Sequence, residues 1–313
     1  MKAVGLYDYG GPEVLEVLEL PTPHAGPGEV RIRVRAAGIN PTDTLLRSGW
    51  QRGRWGAEPP FVPGMDVAGT IDEVGDGVGD SHDWSVGDEV TAIVVPKGSS
   101  GGYSEHVVVP ADSVTTKPAG TTWAEAASFL MNALTARQAL DLLGLPAGAT
   151  LGVTGGAGAF GGYVTQLAAN AGLRVIADSS PADEKLIRSF GAHEIVPRGD
   201  GVADRLRAVA PEGLDAIADG ALLLDQVIPA IRDGGQIAVL RLWEGQAERG
   251  IKVHPFTVRS YATKAAAINC VREQVESGVL AIRIAATLPY YEAAEAHRRL
   301  ERGGLRGRII LEF

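Results

Sequence analysis

An α/β protein in two parts is what the sequence predicts: a small β-barrel or sandwich, then a parallel sheet covered by helices. Three observations predict it. The first ~115 residues run in short alternating strands punctuated by Gly and Pro. Near Thr121 the texture becomes Ala- and Leu-rich with helical spacing, and a glycine cluster then separates an apolar run from a helical one. The length agrees, since 313 residues normally make about two domains and bury roughly 75% of the unfolded chain's surface.

Met1 to Val4 reads directly into a strand. Val30 to Ala36 alternates apolar and basic side chains, as a strand with one buried face requires. Val67 to Val74 and Glu89 to Val95 are further strands, with Gly26-Pro27-Gly28 and Pro59-Pro60 marking turns. Trp123 to Leu143 has helical spacing, stopped by Gly144 and Pro146. Ala149 to Thr154, the glycine cluster, a helix over Ala159 to Ala171 and a strand over Leu173 to Ala177 make a βαβ unit. His193–Val196, Ala216–Ala218 and Gln236–Leu240 are near-continuous apolar strands, suited to a parallel sheet buried on both faces. Thr263 to Ser277 and Tyr290 to Arg302 read as helices, and Arg308 to Phe313 as a last strand.

Composition excludes several classes. The chain is 45% hydrophobic and 21% charged, which is not a disordered composition. Its net charge of −9 disfavours nucleic acid as a partner. Cys270 is the single cysteine, so no internal disulfide framework and no cysteine-based structural zinc exists. No apolar run reaches the ~18 residues of a membrane span, and the N-terminus does not read as a secretion signal. A cytoplasmic protein is the expectation.

Gly155-Gly156-Ala157-Gly158-Ala159-Phe160-Gly161 lies between the predicted strand and helix. Glycines there permit a tight turn and close backbone approach, and the helix N-terminus offers N–H groups to a pyrophosphate. The end of the following strand selects the cofactor: an acid favours NAD, small or basic residues the 2′-phosphate of NADP. Asp178 and Ser179 point to opposite sides of that strand, so the choice is a question of register. Lys185 and Arg198 supply positive charge nearby. Gly98-Ser99-Ser100-Gly101-Gly102 fits a serine-hydrolase pattern, but it precedes another strand rather than the required helix.

Further stretches stand out: Ala37-Gly38-Ile39-Asn40-Pro41-Thr42-Asp43, Pro63-Gly64-Met65-Asp66-Val67-Ala68-Gly69, Val86-Gly87-Asp88-Glu89-Val90, Gly101-Gly102-Tyr103-Ser104-Glu105 and Ser189-Phe190-Gly191-Ala192-His193-Glu194. Together with the glycine turn, and in this order, they resemble the medium-chain dehydrogenase/reductase superfamily, in its zinc-independent quinone oxidoreductase branch. The resemblance spans essentially the whole chain. It implies a GroES-like catalytic domain over residues 1–120, a Rossmann domain over 121–258 and a return to the first domain over 259–313. It implies NADPH as cofactor, with NADH the alternative, a small-molecule substrate, and a homodimer formed along the sheet edge at Gln236 to Trp243. It places Asn40 close to the nicotinamide and Thr135 against its end, with Asp43 in the same motif as Asn40 orienting that loop, and these three are the catalytic candidates. Cofactor contacts fall on Thr135, Gly155, Gly156, Ala157, Gly158, Ala159, Phe160, Ser179, Ser180, Lys185, Arg198, Asp219 and Leu240.

Zinc-dependent relatives carry Cys where Asn40 stands and His where Met65 stands, so no zinc is expected. His82, His106 and His254 are isolated. Departures from the family pattern mark the substrate side. Leu45 replaces a frequent Tyr, Trp50 and Trp55 lie downstream of it, and Arg241 follows Leu240 where a small residue is usual. Arg198 stands where a Tyr is frequent, and a guanidinium suits a 2′-phosphate. Hydride transfer to a quinone is the first reading. Reduction of an α,β-unsaturated ketone or thioester is the second, with its proton donor unassigned. A nucleotide-binding protein with little turnover is the third.

Overall fold

The computed structural model describes the chain except residues 51, 54, 57, 81, 242, 244, 246 and 247. It divides into two compact units: residues 1–131, 262–276 and 282–313, and residues 132–261 and 277–281.

The first unit begins with the hairpin β1 (Lys2–Gly5) and β2 (Glu16–Glu19). β3 (Glu29–Gly38), helix α1 (Pro41–Arg47), β4 (Asp66–Val74), β5 (Glu89–Ile93), β6 (His106–Pro110) and β7 (Val114–Thr116) follow. In β3, Val30, Ile32 and Val34 are buried while Arg33 and Arg35 are exposed, as the alternation requires. The helix expected over Trp123 to Leu143 is broken into α2 (Trp123–Ala126) and α3 (Leu130–Leu143). Thr122 and Glu125 form a reciprocal cap that starts α2. The Oγ1 of Thr91 donates 2.8 Å to the Ala126 carbonyl, ending that first helix against β5. The boundary between the units follows Met131, inside α3.

The second unit alternates strand and helix. β8 (Thr150–Thr154), α4 (Ala159–Asn170), β9 (Arg174–Ser179), α5 (Glu184–Ser189), β10 (Glu194–Pro197), α6 (Val202–Val209), β11 (Leu214–Asp219), β12 (Ile231–Leu240) and β13 (Lys252–Phe256) build one sheet. Its order is β10-β9-β8-β11-β12-β13, every pairing parallel. Strand order reverses at β8 and β11, and ligands of such sheets bind at the carboxyl ends beside that switch. The expected sheet edge at Gln236 to Trp243 is corrected here. β13 pairs along β12, so the edge is β13; Leu242 lies outside the described residues.

The chain then returns to the first unit through α7 (Ala265–Glu276), β14 (Ile284–Pro289), α8 (Ala293–Arg302) and β15 (Arg308–Glu312). β15 pairs with β14 on one side and with β3 on the other. Among the described residues no helix is long and apolar enough to cross a membrane.

Candidate active site

The glycine turn follows β8 and opens α4. Gly155 has φ +67°, a left-handed conformation that glycine adopts without strain, and a Cβ there would lie 3.3 Å from the Gly220 backbone. A Cβ on Gly161 would overlap the Gly155 carbonyl oxygen, so α4 packs directly on the turn. Gly158 is exposed, and its N–H donates 2.8 Å to the Gly155 carbonyl. Gly158 is also the residue before α4, and as a glycine it brings no capping side chain of its own. A helix N-terminus opened by glycine suits an anion such as a pyrophosphate. Ala157 and Ala159 are half-buried and Phe160 is buried.

Asp178 answers the register question. Its Oδ1 accepts the N–H groups of Gly155 at 2.7 Å and Gly156 at 3.3 Å. The side chain is 4% exposed and folds into the glycine turn. Burial pushes its pKa up, opposed by those two N–H donors and by Arg198. Ser179 lies on the opposite side of β9. The Arg198 N–H donates 2.9 Å to the Ser179 carbonyl, which sets that exposed guanidinium at the end of the neighbouring strand. Ser180 donates 2.5 Å to Asp183, and Lys185 is exposed on α5. Small and basic residues thus follow the ends of β9 and β10.

Asp219 ends β11 at 0% exposure. It accepts from Thr154 Oγ1 at 2.6 Å, from the Leu223 N–H at 3.1 Å and from the Leu224 N–H at 2.8 Å. Its carboxylate clamps the loop in which Leu222 and Leu224 hold φ of 57° and 51°. Leu240 and Arg241 are half-buried at the end of β12, and burial lowers the Arg241 pKa. Thr135 is buried within α3.

In the first unit, Asn40 precedes α1 and Asp66 opens β4. Both are 0% exposed. Asn40 Nδ2 donates 2.9 Å to Asp66 Oδ2, and its Oδ1 accepts from Arg308 Nη2 at 2.6 Å. Arg308 also donates to the Ile39 carbonyl, and Asp66 Oδ1 accepts the Met131 N–H at 2.6 Å. Asp43 Oδ2 accepts the Asn40 N–H at 2.8 Å and the Tyr103 hydroxyl at 2.9 Å. Its Oδ1 accepts the Gly64 N–H at 3.1 Å. One carboxylate thus fixes both the Asn40 loop and the Pro63-Gly64 turn. Burial raises the Asp43 pKa to about 6 against the pull of these donors and Arg308. Burial likewise raises Asp66, and Arg308 pulls it back.

The sequence-predicted substrate residues divide. Leu45 is half-buried and Trp50 is 40% exposed. Trp55 is corrected: it is 3% exposed within the apolar core of this unit, and its Nε1 donates 3.3 Å to the Trp50 carbonyl. Its indole supports the sheet. Asp66, Tyr103, Arg308 and His297 were not singled out from the sequence. Asp66 and Tyr103 stand inside quoted motifs, but nothing local pairs them with a helix and strand some 200 residues downstream.

A family metal does not fit these residues. Asn40 spends its amide on Asp66 and Arg308, and Met65 is buried at the neighbouring motif position. A guanidinium, charged at every working pH, would meet a divalent cation at close range.

Comparison with known proteins agrees with this geometry. Residues 26–119 match the alcohol dehydrogenase GroES-like domain, and residues 190–311 match the zinc-binding dehydrogenase family. A quinone oxidoreductase of Pongo abelii is 28% identical, covering 99% of this chain and 97% of its own. An NADPH-dependent alkenal/one oxidoreductase of Arabidopsis thaliana chloroplasts is 32% identical over 77% of this chain and 62% of its own. A crystal structure of an NAD-dependent alcohol dehydrogenase superposes with TM-score 0.86 at 30% identity, covering 100% of both chains. A mycobacterial protein complexed with NADPH gives TM-score 0.89 at 27% identity over 100% of both chains. A GroES-like unit joined to a dinucleotide-binding sheet defines a nicotinamide-dependent oxidoreductase acting on a small molecule. The chain belongs to the medium-chain dehydrogenase/reductase superfamily, among its quinone oxidoreductase-like members.

Proposed function

We propose that the protein is a zinc-independent, NADPH-dependent reductase of quinones and similar conjugated carbonyls. The observation that carries this reading is Arg308 bonded to Asn40 beside Asp66. With a fixed guanidinium there and no cluster of metal-ligating side chains among the described residues, this reading has the acceptor take hydride without a Lewis acid. Quinones and enones do so because the incoming charge delocalises onto a distant oxygen. The quinone oxidoreductase and alkenal/one oxidoreductase relatives support the same substrate class.

The bound cofactor supplies the hydride. The chain supplies its seat: the glycine-opened N-terminus of α4 for the pyrophosphate, and Ser179, Ser180, Lys185 and Arg198 for the 2′-phosphate. Asp178 holds the turn without contributing negative charge to the ribose side. Thr135 is assigned to the nicotinamide end, and Asn40 and Asp43 to the loop that orients the reacting groups.

The test mixes purified protein and NADPH with a panel of quinones, enones, enoyl thioesters and simple ketones while nicotinamide absorbance is followed. Turnover is expected with the conjugated acceptors and not with simple ketones. Zinc by elemental analysis should fall far below one per chain after dialysis. Stoichiometric zinc, or activity abolished by chelation, overturns the reading.

A further inference from the structure

Asp43 does not end the hydrogen-bonded chain that begins at Asn40. The Tyr103 hydroxyl has one proton, and it goes to Asp43 Oδ2 at 2.9 Å. Tyr103 oxygen therefore accepts from its other neighbour, His297 Nε2 at 3.2 Å. This assigns the proton of the imidazole to Nε2. His297 Nδ1 is then an acceptor and faces Arg47 Nη1 at 3.5 Å. Arg47 also donates 3.1 Å to the Gly10 carbonyl and pairs with the partly exposed Glu301. Tyr103 and His297 are 0% exposed and Arg47 is 4% exposed. Every group in the chain has a role that its partners dictate, and none of the reading above uses His297.

We propose that Tyr103 and His297 are positioning residues: the neutral imidazole on α8 orients the Tyr103 hydroxyl, which keeps Asp43 as the ionised acceptor that fixes Asn40 and Gly64. The charged and titratable groups facing Asp43 are Tyr103, Arg308 on β15 and, through Tyr103, His297 on α8 and Asp66 on β4. Burial and Arg47 hold the imidazole neutral, with a pKa lowered to about 3. A histidinium would add a second cation beside Arg47 without changing the donor at Nε2, so neutrality is what lets Nδ1 accept. Removing the Tyr103 proton donor strips Asp43 of the one side-chain bond that favours its charge, and its pKa must rise.

This rests on the proposed reductase reading only for its second readout. The first uses the apo protein, labelled with carboxyl-13C aspartate, and follows Asp43 by NMR titration with Asp43→Asn for assignment. Tyr103→Phe should move the Asp43 titration up by about one unit. His297→Ala should move it in the same direction. His297→Gln should stay near wild type, because its carboxamide can donate to Tyr103 and accept from Arg47. The second readout is NADPH-driven reduction of 1,4-naphthoquinone. The acid limb of kcat/KM should shift with the same order, whereas a variant that is only less stable loses amplitude at every pH. An Asp43 titration unmoved in both Tyr103→Phe and His297→Ala overturns the proposal. Absent naphthoquinone turnover in wild type would count against the reductase reading and leave the titration to decide this one.

Discussion

Arg198 acts electrostatically on Asp178 near the end of β9, but the proposed cofactor seat gives the two opposite duties. Arg198→Ala should weaken NADPH tenfold to a hundredfold, the worth of a charge-assisted bond of ~1.5–3 kcal/mol, and leave NADH almost untouched. Asp178→Ala should weaken both cofactors alike, because two turn N–H groups lose their acceptor at a site 4% exposed. Dissociation constants for both cofactors at one ionic strength separate the cases. A wild-type preference for NADH that vanishes in Asp178→Ser would show that the carboxylate serves the ribose after all. Two glycines make a matching contrast. Gly158→Val should keep the fold and abolish NADPH binding, since Gly158 is exposed with φ −69° and its Cβ meets only the Gly155 carbonyl oxygen, at 3.1 Å. Gly161→Ala should lower the thermal midpoint, because its Cβ overlaps backbone that cannot move aside. The need for glycine here was legible in the sequence. The duty of Asp178 was not, since alternation leaves two faces and only the paired structure says which one the turn occupies.

α8 brings a buried histidine to Tyr103, which bonds the buried Asp43 carboxyl, and the two titrating groups should mark the pH dependence of stability. Asp43 has a folded pKa of about 6 against 3.8 ordinarily, so the folded state keeps a proton that the unfolded chain has released. Its contribution is fully present below 3.8 and is lost as pH rises through 6. His297 has a folded pKa of about 3 against 6.5, so its contribution is present above 6.5 and is lost as pH falls toward 3. Between about pH 4 and 6 the two slopes oppose each other, each near 1.4 kcal/mol per unit at most. His297→Gln removes one of them. The midpoint of the variant relative to wild type should therefore climb as pH falls from 7 to 4.5, by about 2–4 °C per kcal/mol recovered. Scanning calorimetry across that range checks it, and parallel curves would refute it. Of this element the sequence shows only helical spacing over Tyr290 to Arg302. That His297 belongs to the inner face follows from Ala293 and Ala296 being buried with it, and its partner Tyr103 is 194 residues away. The break between α2 and α3 was equally hidden, because Ala127-Ser128-Phe129 carries no Gly or Pro and the stop comes from tertiary bonds.

At the scale of the molecule, the two units differ in how the chain builds them. The second is nearly one continuous segment, residues 132–261 with 277–281, and every strand of its sheet comes from that segment. Local period and turn signals read it as far as β12, because a parallel sheet of βαβ units is assembled from neighbours in sequence, but β13 beyond it was not marked. The first unit takes three segments, and β15 joins β3 across some 270 residues, a pairing that no local pattern announces. This asymmetry predicts unequal autonomy. Residues 121–261 expressed alone should fold cooperatively and bind NADPH within about tenfold of the whole chain, since the glycine turn, Asp178 and Arg198 all lie inside. Residues 1–131 alone should not reach the native sheet. Without β15 the Ala36–Gly38 end of β3 loses its partner on that side. Without Arg308 and His297, Asn40 and Tyr103 lose buried bonds, each costing about 1–3 kcal/mol when left unmade. Far-UV circular dichroism, denaturant titration and NADPH binding on the two fragments decide it. A 1–131 fragment with a cooperative transition would mean that the returning strand is an accessory to the barrel, whereas its loss with an intact 121–261 would make the return the step that completes the first unit.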